Sequence, residues 1–202
     1  MLRRLADILV SGFLLVLTSP VLLLAALAVR LDSKGPALFR QTRIGVNGSP
    51  FVIFKFRTMR QEPVLPAVTL GGRGDTRVTR VGAFLRDSKI DELPQLLNVL
   101  AGDMTLIGPR AETPNFVEHF TPRQREVLTV KPGLTGPGQI DYTTTQASLL
   151  DGASDPNQYY IEKILPGKLE KDLEYIHTRS FTGDLAILGR TLLVVLTLGR
   201  KG

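Results

Sequence analysis

The sequence predicts a helix-rich α+β protein attached to a membrane through its N-terminal segment, and three observations carry that prediction. Ile8 to Val29 hold no charged residue and are dominated by Leu, Val and Ala. Ala37 to Arg57 read as two β-strands around an Asn-Gly turn. Helical patterns then recur after the acidic pair Asp91-Glu92, over Thr113 to Val130, over Tyr159 to Tyr175 and over Leu185 to Leu198.

Composition narrows the function classes. With 202 residues, 43% of them hydrophobic and 22% charged, the chain fits one folded domain with an appendage rather than a disordered segment. The absence of Cys excludes disulfides and thiolate metal sites, and two histidines, His119 and His177, are too few for a His-built zinc site. Trp is absent and aromatics are 6%, a poor basis for stacking nucleic-acid bases. The net charge of +6 is therefore read as attraction to membrane headgroups or to phosphates, and no nucleic-acid partner is expected.

The N-terminal segment is long enough to span about 30 Å as a helix. It is too long for the apolar region of a signal peptide. Arg3 and Arg4 precede it, and Arg30 and Lys34 follow. Positive charge favours the cytoplasmic side, and here it stands at both ends. Ser19-Pro20 falls mid-segment, where proline removes an amide donor and bends a helix. On these grounds a spanning helix and a re-entrant hairpin remain equally open. In either case the Ser19 hydroxyl is placed to satisfy a carbonyl freed by Pro20.

Ala37 to Ile44 form the first strand, Gly45 to Pro50 the turn, and Phe51 to Arg57 the return strand. Alternation sends Lys55 and Arg57 to one face together. They read equally as solvated edge residues or as part of a basic run, Arg40, Arg43, Lys55, Arg57 and Arg60, facing headgroups. Gln61 to Gly74, with Pro63, Pro66 and Gly71-Gly72, reads as a loop covering the domain. Asp75 to Arg86 set three arginines around Val78, Val81, Phe84 and Leu85.

The stretch Ser88 to Glu112 is the expected catalytic centre. A helix starting at Asp91 or Glu92 accommodates Pro94 in its first turn. It also places two carboxylates at the positive helix end, where a lowered pKa and attraction for phosphate are expected. Adjacent helical residues point about 100° apart, so the two carboxylates have different jobs. Taken alone, the pair is more simply an ordinary acidic first turn; Arg86 upstream adds a phosphate-site arrangement, with a salt bridge as the alternative. Gly102-Asp103 then marks a turn, and Gly108-Pro109-Arg110 a break. Further on, Lys131 to Gln139 form a Gly/Pro turn whose amides either approach a ligand or serve tight packing. Leu185 to Leu198 are too short and interrupted to span and suit an interfacial or packed helix, with Arg200-Lys201 anchoring its end.

An ordered set of motifs carries a resemblance. They are Asp32-Ser33-Lys34-Gly35-Pro36; Arg40-Gln41 with Arg43 and Gly45; Lys55-Phe56-Arg57-Thr58-Met59; and Arg77-Val78-Thr79-Arg80-Val81-Gly82. Then come Asp91-Glu92-Leu93-Pro94-Gln95, Asn98-Val99-Leu100, Gly102-Asp103-Met104, Gly108-Pro109-Arg110, Lys131-Pro132-Gly133-Leu134-Thr135-Gly136 and Asp172-Leu173-Glu174-Tyr175. The set resembles the bacterial sugar transferase family, the monotopic phosphoglycosyl transferases. Each motif is weak alone, but the order is specific.

The resemblance implies transfer of a sugar-1-phosphate from a nucleotide sugar, usually a UDP-sugar, to polyprenyl phosphate, with release of UMP. The implied chemistry is ping-pong through a phosphosugar-aspartate. Asp91 is the implied nucleophile, Glu92 its partner, and both are implied ligands of Mg²⁺. Arg86 matches a phosphate-gripping arginine, while Lys55, Arg57 and Arg110 extend the clamp. Gln139 and Asp172 also match family positions. The Ser19-Pro20 break favours a re-entrant helix over residues 1–32, followed by a cytoplasmic catalytic domain over 33–202. The implied setting is the inner membrane of a bacterium, in contact with phospholipid, and a homodimer is left open. The chain departs from the commoner pattern at Ala111, where a second proline is usual, and at Ile140 to Thr145, which replace an Asn-Gly-Arg-like segment. Both departures bear on which sugar is read. A metal-dependent nucleotide-sugar phosphodiesterase and a non-enzymatic membrane adaptor stand as alternatives.

Overall fold

A computed structural model describes residues 2–60, 70, 75–143 and 145–198. Apart from Leu70, the expected loop over Gln61 to Gly74 lies outside the described residues up to Asp75, as do Thr144 and the Arg200-Lys201 anchor. The elements run α1 (Leu2–Asp32), β1 (Leu38–Ile44), β2 (Pro50–Phe56), α2 (Arg80–Asp87), α3 (Leu96–Ala101), β3 (Thr105–Ile107) and α4 (Pro114–Val117). Then follow β4 (Gly133–Thr135), α5 (Pro137–Tyr142), α6 (Gln146–Asp151), α7 (Pro156–Tyr159), α8 (Leu165–Thr178) and α9 (Phe181–Leu198).

Helix α1 is one helix through Pro20 rather than two joined by an unwound break. Proline at position 20 denies the Val16 carbonyl its usual i+4 donor. The Ser19 hydroxyl supplies the replacement, donating to Val16 O at 2.8 Å. Large apolar residues such as Leu9, Phe13, Val16, Leu23, Leu24 and Leu31 stay exposed along its length. Only 11% of its most apolar window is buried, which separates α1 from the core helix of a soluble protein.

Both ends of α1 are tied to the same body. Arg4 donates to the Val99 and Leu100 carbonyls at the end of α3. The buried Asp7 accepts from the Thr105 hydroxyl at 2.8 Å and the Leu106 amide at 2.9 Å. At the other end, Arg57 donates to the carbonyls of Val29, Ser33 and Lys34. These carbonyls cluster at and just past the helix end, Val29 O also accepting from the Ser33 amide, and an arginine fork meets several at once.

The hairpin forms where the sequence places it, to within a residue at the strand ends. Strand β1 pairs antiparallel with β2 from Leu38↔Phe56 to Ile44↔Pro50. Asn47 and Gly48 take the positive φ that the turn needs, 54° and 77°. Strand β2 ends one residue before Arg57. The buried Asn98 then fixes β2 to α3, donating to Val52 O at 2.7 Å and accepting from the Phe54 amide at 3.1 Å.

Two elements differ from expectation. Thr113 to Val130 is not one helix: α4 is short, and Gln124–Thr129 form a separate 3-10 turn. Pro122 forbids continuation, and Thr121 and Gln124 exchange side chain–backbone hydrogen bonds that start the second turn. The apolar positions nevertheless face inward, with Val117, Phe120 and Val127 in the main core against Tyr160, Leu169 and Leu173. Second, the Gly/Pro segment contains β4, which pairs parallel with β3. A Cβ on Gly133 would sit 2.1 Å from the Gly108 amide nitrogen, so only glycine permits this crossing.

Toward the C-terminus, α7, a π-helical turn over Tyr160–Ile164 and α8 are contiguous, and Pro166 lies in the first turn of α8. Helix α9 buries Ile187 and leaves Leu185, Leu192, Leu193 and Leu196 exposed.

Candidate active site

A 3-10 turn, Ile90–Gln95, carries the acidic pair, and α3 continues it. Ser88 closes α2 by donating to Phe84 O, and Lys89 follows in the left-handed region at φ 59°. This reversal brings Asp91 and Glu92 back under β2. Pro94 fits the turn, as expected of a residue near a helix start.

Glu92 is the hub. One of its oxygens, Oε1, accepts from Lys55 Nζ at 3.0 Å and from Arg110 at 3.0 Å. Its Oε2 accepts from Gln139 Nε2 at 3.2 Å. Burial would raise this carboxyl, but Lys55 and then Arg110 outweigh burial and hold it well below the usual carboxylate range. The lysine responds to burial, which pushes it below its ordinary value against the pull of Glu92. Burial also opposes the charge on Arg110, but Glu92 and Glu112 more than compensate and raise it.

Asp91 has the opposite surroundings. It is buried, and its carboxylate accepts no hydrogen bond among the described residues. Burial pushes it up to about 6, and the negative Glu92 adds to the rise; Lys55, Lys89 and Arg86 oppose it. The expected lowering of the carboxyls thus holds at Glu92 and fails at Asp91, where burial and the neighbouring anion outweigh a 3-10 turn's short dipole. Arg86 is fixed by a 2.8 Å hydrogen bond from its Nε to the Thr58 hydroxyl, leaving the fork end beside Asp91 for an anion.

Asp172 stands behind this group. Its Oδ1 accepts from the Gly138 amide at 3.0 Å and its Oδ2 from the Arg110 amide at 3.4 Å. It is raised to about 6, chiefly by burial. It thus holds two backbone segments together beneath Arg110 and Gln139. Arg57 does not join the clamp: it is 3% exposed and directed at the end of α1. Strand alternation put it beside Lys55, but the strand stops at Phe56 and the chain turns away. Ser19 and Pro20 are exposed on α1.

A buried network next to the site was not singled out from sequence. Glu112 receives the Tyr160 hydroxyl at 2.6 Å, and Lys168 donates to Tyr160 at 3.0 Å. Arg43 donates to the Ala111 carbonyl and lies 3.6 Å from Glu112. Burial lowers Lys168 to about 8. The available signal was Glu112 itself, a carboxylate two residues beyond Arg110 in a stretch that has to be buried.

The chemistry available here is specific. One carboxylate is locked as an anion by two cations, and its neighbour, which accepts no hydrogen bond among the described residues, is a potential nucleophile beside an arginine. As a metal site the donors are sparse, with no group of three His, Cys, Asp or Glu residues among the described ones. Asp91 and the less occupied Oε2 of Glu92 suit only an ion completed by substrate phosphates.

Residues 1–198 match the family model described as bacterial sugar transferase. The chain is 43% identical over 198 residues to a UDP-glucose:undecaprenyl-phosphate glucose-1-phosphate transferase of Caulobacter vibrioides, covering 96% of this chain and 70% of that one. It is 40% identical over 199 residues to the Escherichia coli protein of the same name, covering 95% and 39%. It is 37% identical over 202 residues to a UDP-N-acetylgalactosamine-undecaprenyl-phosphate N-acetylgalactosaminephosphotransferase of Aeromonas hydrophila, covering 97% and 44%. The chain thus spans 70% of the first of these relatives and roughly two fifths of the other two.

Proposed function

The chain belongs to the bacterial sugar transferase family, and from that premise we propose that it transfers a sugar-1-phosphate from a UDP-sugar to polyprenyl phosphate. Undecaprenyl phosphate is the acceptor named for the relatives, and their named sugars include glucose and N-acetylgalactosamine. The observation carrying this reading is the asymmetry of the acidic pair: Glu92 is held by Lys55, Arg110 and Gln139, while the buried Asp91 accepts no hydrogen bond among the described residues.

In the first step an Asp91 oxygen attacks the phosphorus that bears the sugar. A bond from Asp91 to phosphorus forms, the bond between the two phosphates breaks, and UMP leaves with the electron pair. In the second step an oxygen of polyprenyl phosphate attacks the same phosphorus. The Asp91–phosphorus bond breaks, giving polyprenyl diphosphate-sugar and the free carboxylate. Arg86 grips a phosphate next to Asp91, while Lys55 and Arg110 keep Glu92 ionised and offset charge on the diphosphate. Gln139 orients Glu92, and Asp172 positions the Arg110 and Gly138 amides. Mg²⁺ fits as an ion held by Asp91, Glu92 Oε2 and substrate phosphates, where it would withdraw charge from the diphosphate.

We read α1 as entering and leaving the membrane on one face, with the catalytic part on the cytoplasmic side of a bacterial inner membrane. Support comes from the contacts of Arg4 and Asp7 at one end and Arg57 at the other with the same body.

The test incubates purified protein with Mg²⁺, polyprenyl phosphate and a panel of UDP-sugars and measures UMP. Acceptor-dependent turnover with polyprenyl diphosphate-sugar as product is expected. Hydrolysis to free sugar-1-phosphate and UMP at the same rate without acceptor would favour a phosphodiesterase, and no UMP from any donor would contradict the reading.

A further inference from the structure

Around Glu112, polar groups are buried that neither the acidic pair nor the backbone requires. Tyr160 is 2% exposed, Lys168 4% and Glu112 5%. The Tyr160 hydroxyl donates to Glu112 Oε1 at 2.6 Å and accepts from Lys168 Nζ at 3.0 Å. Lys168 Nζ lies 3.9 Å from the same carboxylate oxygen and also donates to Gln146 at 3.2 Å. Backbone anchoring does not explain this arrangement. The chain at 110–112 is already pinned by the Arg110 amide on Asp172, by Arg43 on the Ala111 carbonyl and by the Ile44 amide on the Glu112 carbonyl at 2.9 Å. The side-chain bonds add something else: they occupy the Glu112 carboxylate.

That occupancy matters to Arg110, which is drawn to two anions. Its guanidinium donates to Glu92 Oε1 at 3.0 Å, and Glu112 attracts it second only to Glu92. A guanidinium fork suits either carboxylate, and a buried charge left unmet is costly. We propose that Tyr160 and Lys168 are positioning residues: by engaging Glu112 they keep the Arg110 guanidinium on Glu92. Without them Arg110 turns toward Glu112, and Glu92 loses one of its two cations. The kinetic consequence rests on the transfer reaction proposed above; the choice of partner by Arg110 does not.

Tyr160→Phe is the discriminating variant. It removes one hydroxyl but keeps the ring, and with it the contact to Phe116, at 4.9 Å between centroids, and the Lys168 ammonium 5.1 Å from the ring centre. A crystal structure of this variant is expected to show the Arg110 guanidinium moved from Glu92 to Glu112. Single-turnover UMP release with Mg²⁺ and a UDP-sugar is expected to slow about tenfold, as for the loss of one hydrogen bond to a charged group. Adding Glu112→Gln removes the competing anion and is expected to recover most of that rate, with thermal unfolding checking that the double variant is folded. A packing role predicts the opposite, because a second change in one buried cluster adds to the damage of the first. The inference is overturned if Arg110 stays on Glu92 in Tyr160→Phe, if that variant releases UMP at the unaltered rate, or if a folded double variant is slower still. If the double variant does not fold, the position of Arg110 in Tyr160→Phe decides. Absence of UMP release from the unaltered protein would overturn the transfer reaction, and the position of Arg110 would still decide the inference.

Discussion

At Asp91 and Glu92, neighbouring carboxyls have opposite fates, and the reason lies in who reaches them. Glu92 is bound by side chains 37, 18 and 47 residues away in sequence, whereas Asp91 receives none of those bonds. The pair was visible in the sequence, but its division of charge was not, because Lys55, Arg110 and Gln139 come from separate elements. Asp91 is raised to about 6, so its ionised form is lost as pH falls through that value; single-turnover UMP release is expected to decline on the acid side of about pH 6. The same shift means that ionising Asp91 costs folding stability as pH rises from the ordinary carboxylate value to about 6. Asp91→Asn is therefore expected to abolish transfer while stabilising the protein by about 1–3 kcal/mol at neutral pH, read by thermal unfolding in detergent. Glu92→Ala should do the reverse to the fold. It leaves Lys55 and Arg110 without their anion and is expected to cost about 3–5 kcal/mol in the same assay.

At the level of elements, the hairpin was legible because its signals are local: an Asn-Gly turn, β-forming residues and a register set by the turn. The short parallel pair β3–β4 was not, since three-residue strands carry no periodicity and their pairing depends on a close approach of Gly133 to Gly108. The helix expected over Thr113 to Val130 failed at Pro122, although its inward apolar positions held. Arg57 illustrates a different limit. Alternation predicts which way a strand residue points only while the strand lasts, and this one ends at Phe56. Its role at the end of α1 gives a test. Arg57→Met is expected to expose the Asp32–Gly35 connection to limited proteolysis at Lys34, with a smaller effect on the UDP-sugar KM than Lys55→Met. Equal effects on that KM would put Arg57 in the substrate clamp after all. Ser19→Ala removes the donor that serves the Val16 carbonyl and is expected to cost about 1 kcal/mol in thermal unfolding.

Across the whole molecule, one long apolar helix is fastened to the catalytic body at both ends, and α9 adds a second exposed apolar face. Arg3 of α1 pairs with Asp184 of α9 at 2.9 Å, linking the two helices that carry exposed apolar faces. Hydropathy alone left spanning and re-entrant courses open; the tethering contacts involve residues scattered through the chain, beyond the reach of a local pattern. Cysteines introduced at Leu2 and Lys34 are expected to react with an impermeant reagent from the same side of the membrane, and labelling from opposite sides would refute the one-face course. On the function proposed above, a lipid-phosphate acceptor and a soluble nucleotide sugar would both reach one carboxylate. The central claim is that this carboxylate, Asp91, carries the phosphosugar between them. It is tested most directly by incubating the protein with Mg²⁺ and a UDP-sugar donor in the absence of acceptor, quenching, and mapping the adduct by peptide mass spectrometry. The account predicts UMP stoichiometric with protein and a sugar-phosphate mass on the peptide containing Asp91, discharged when polyprenyl phosphate is added. An adduct on another residue, or full transfer by Asp91→Asn, would contradict it.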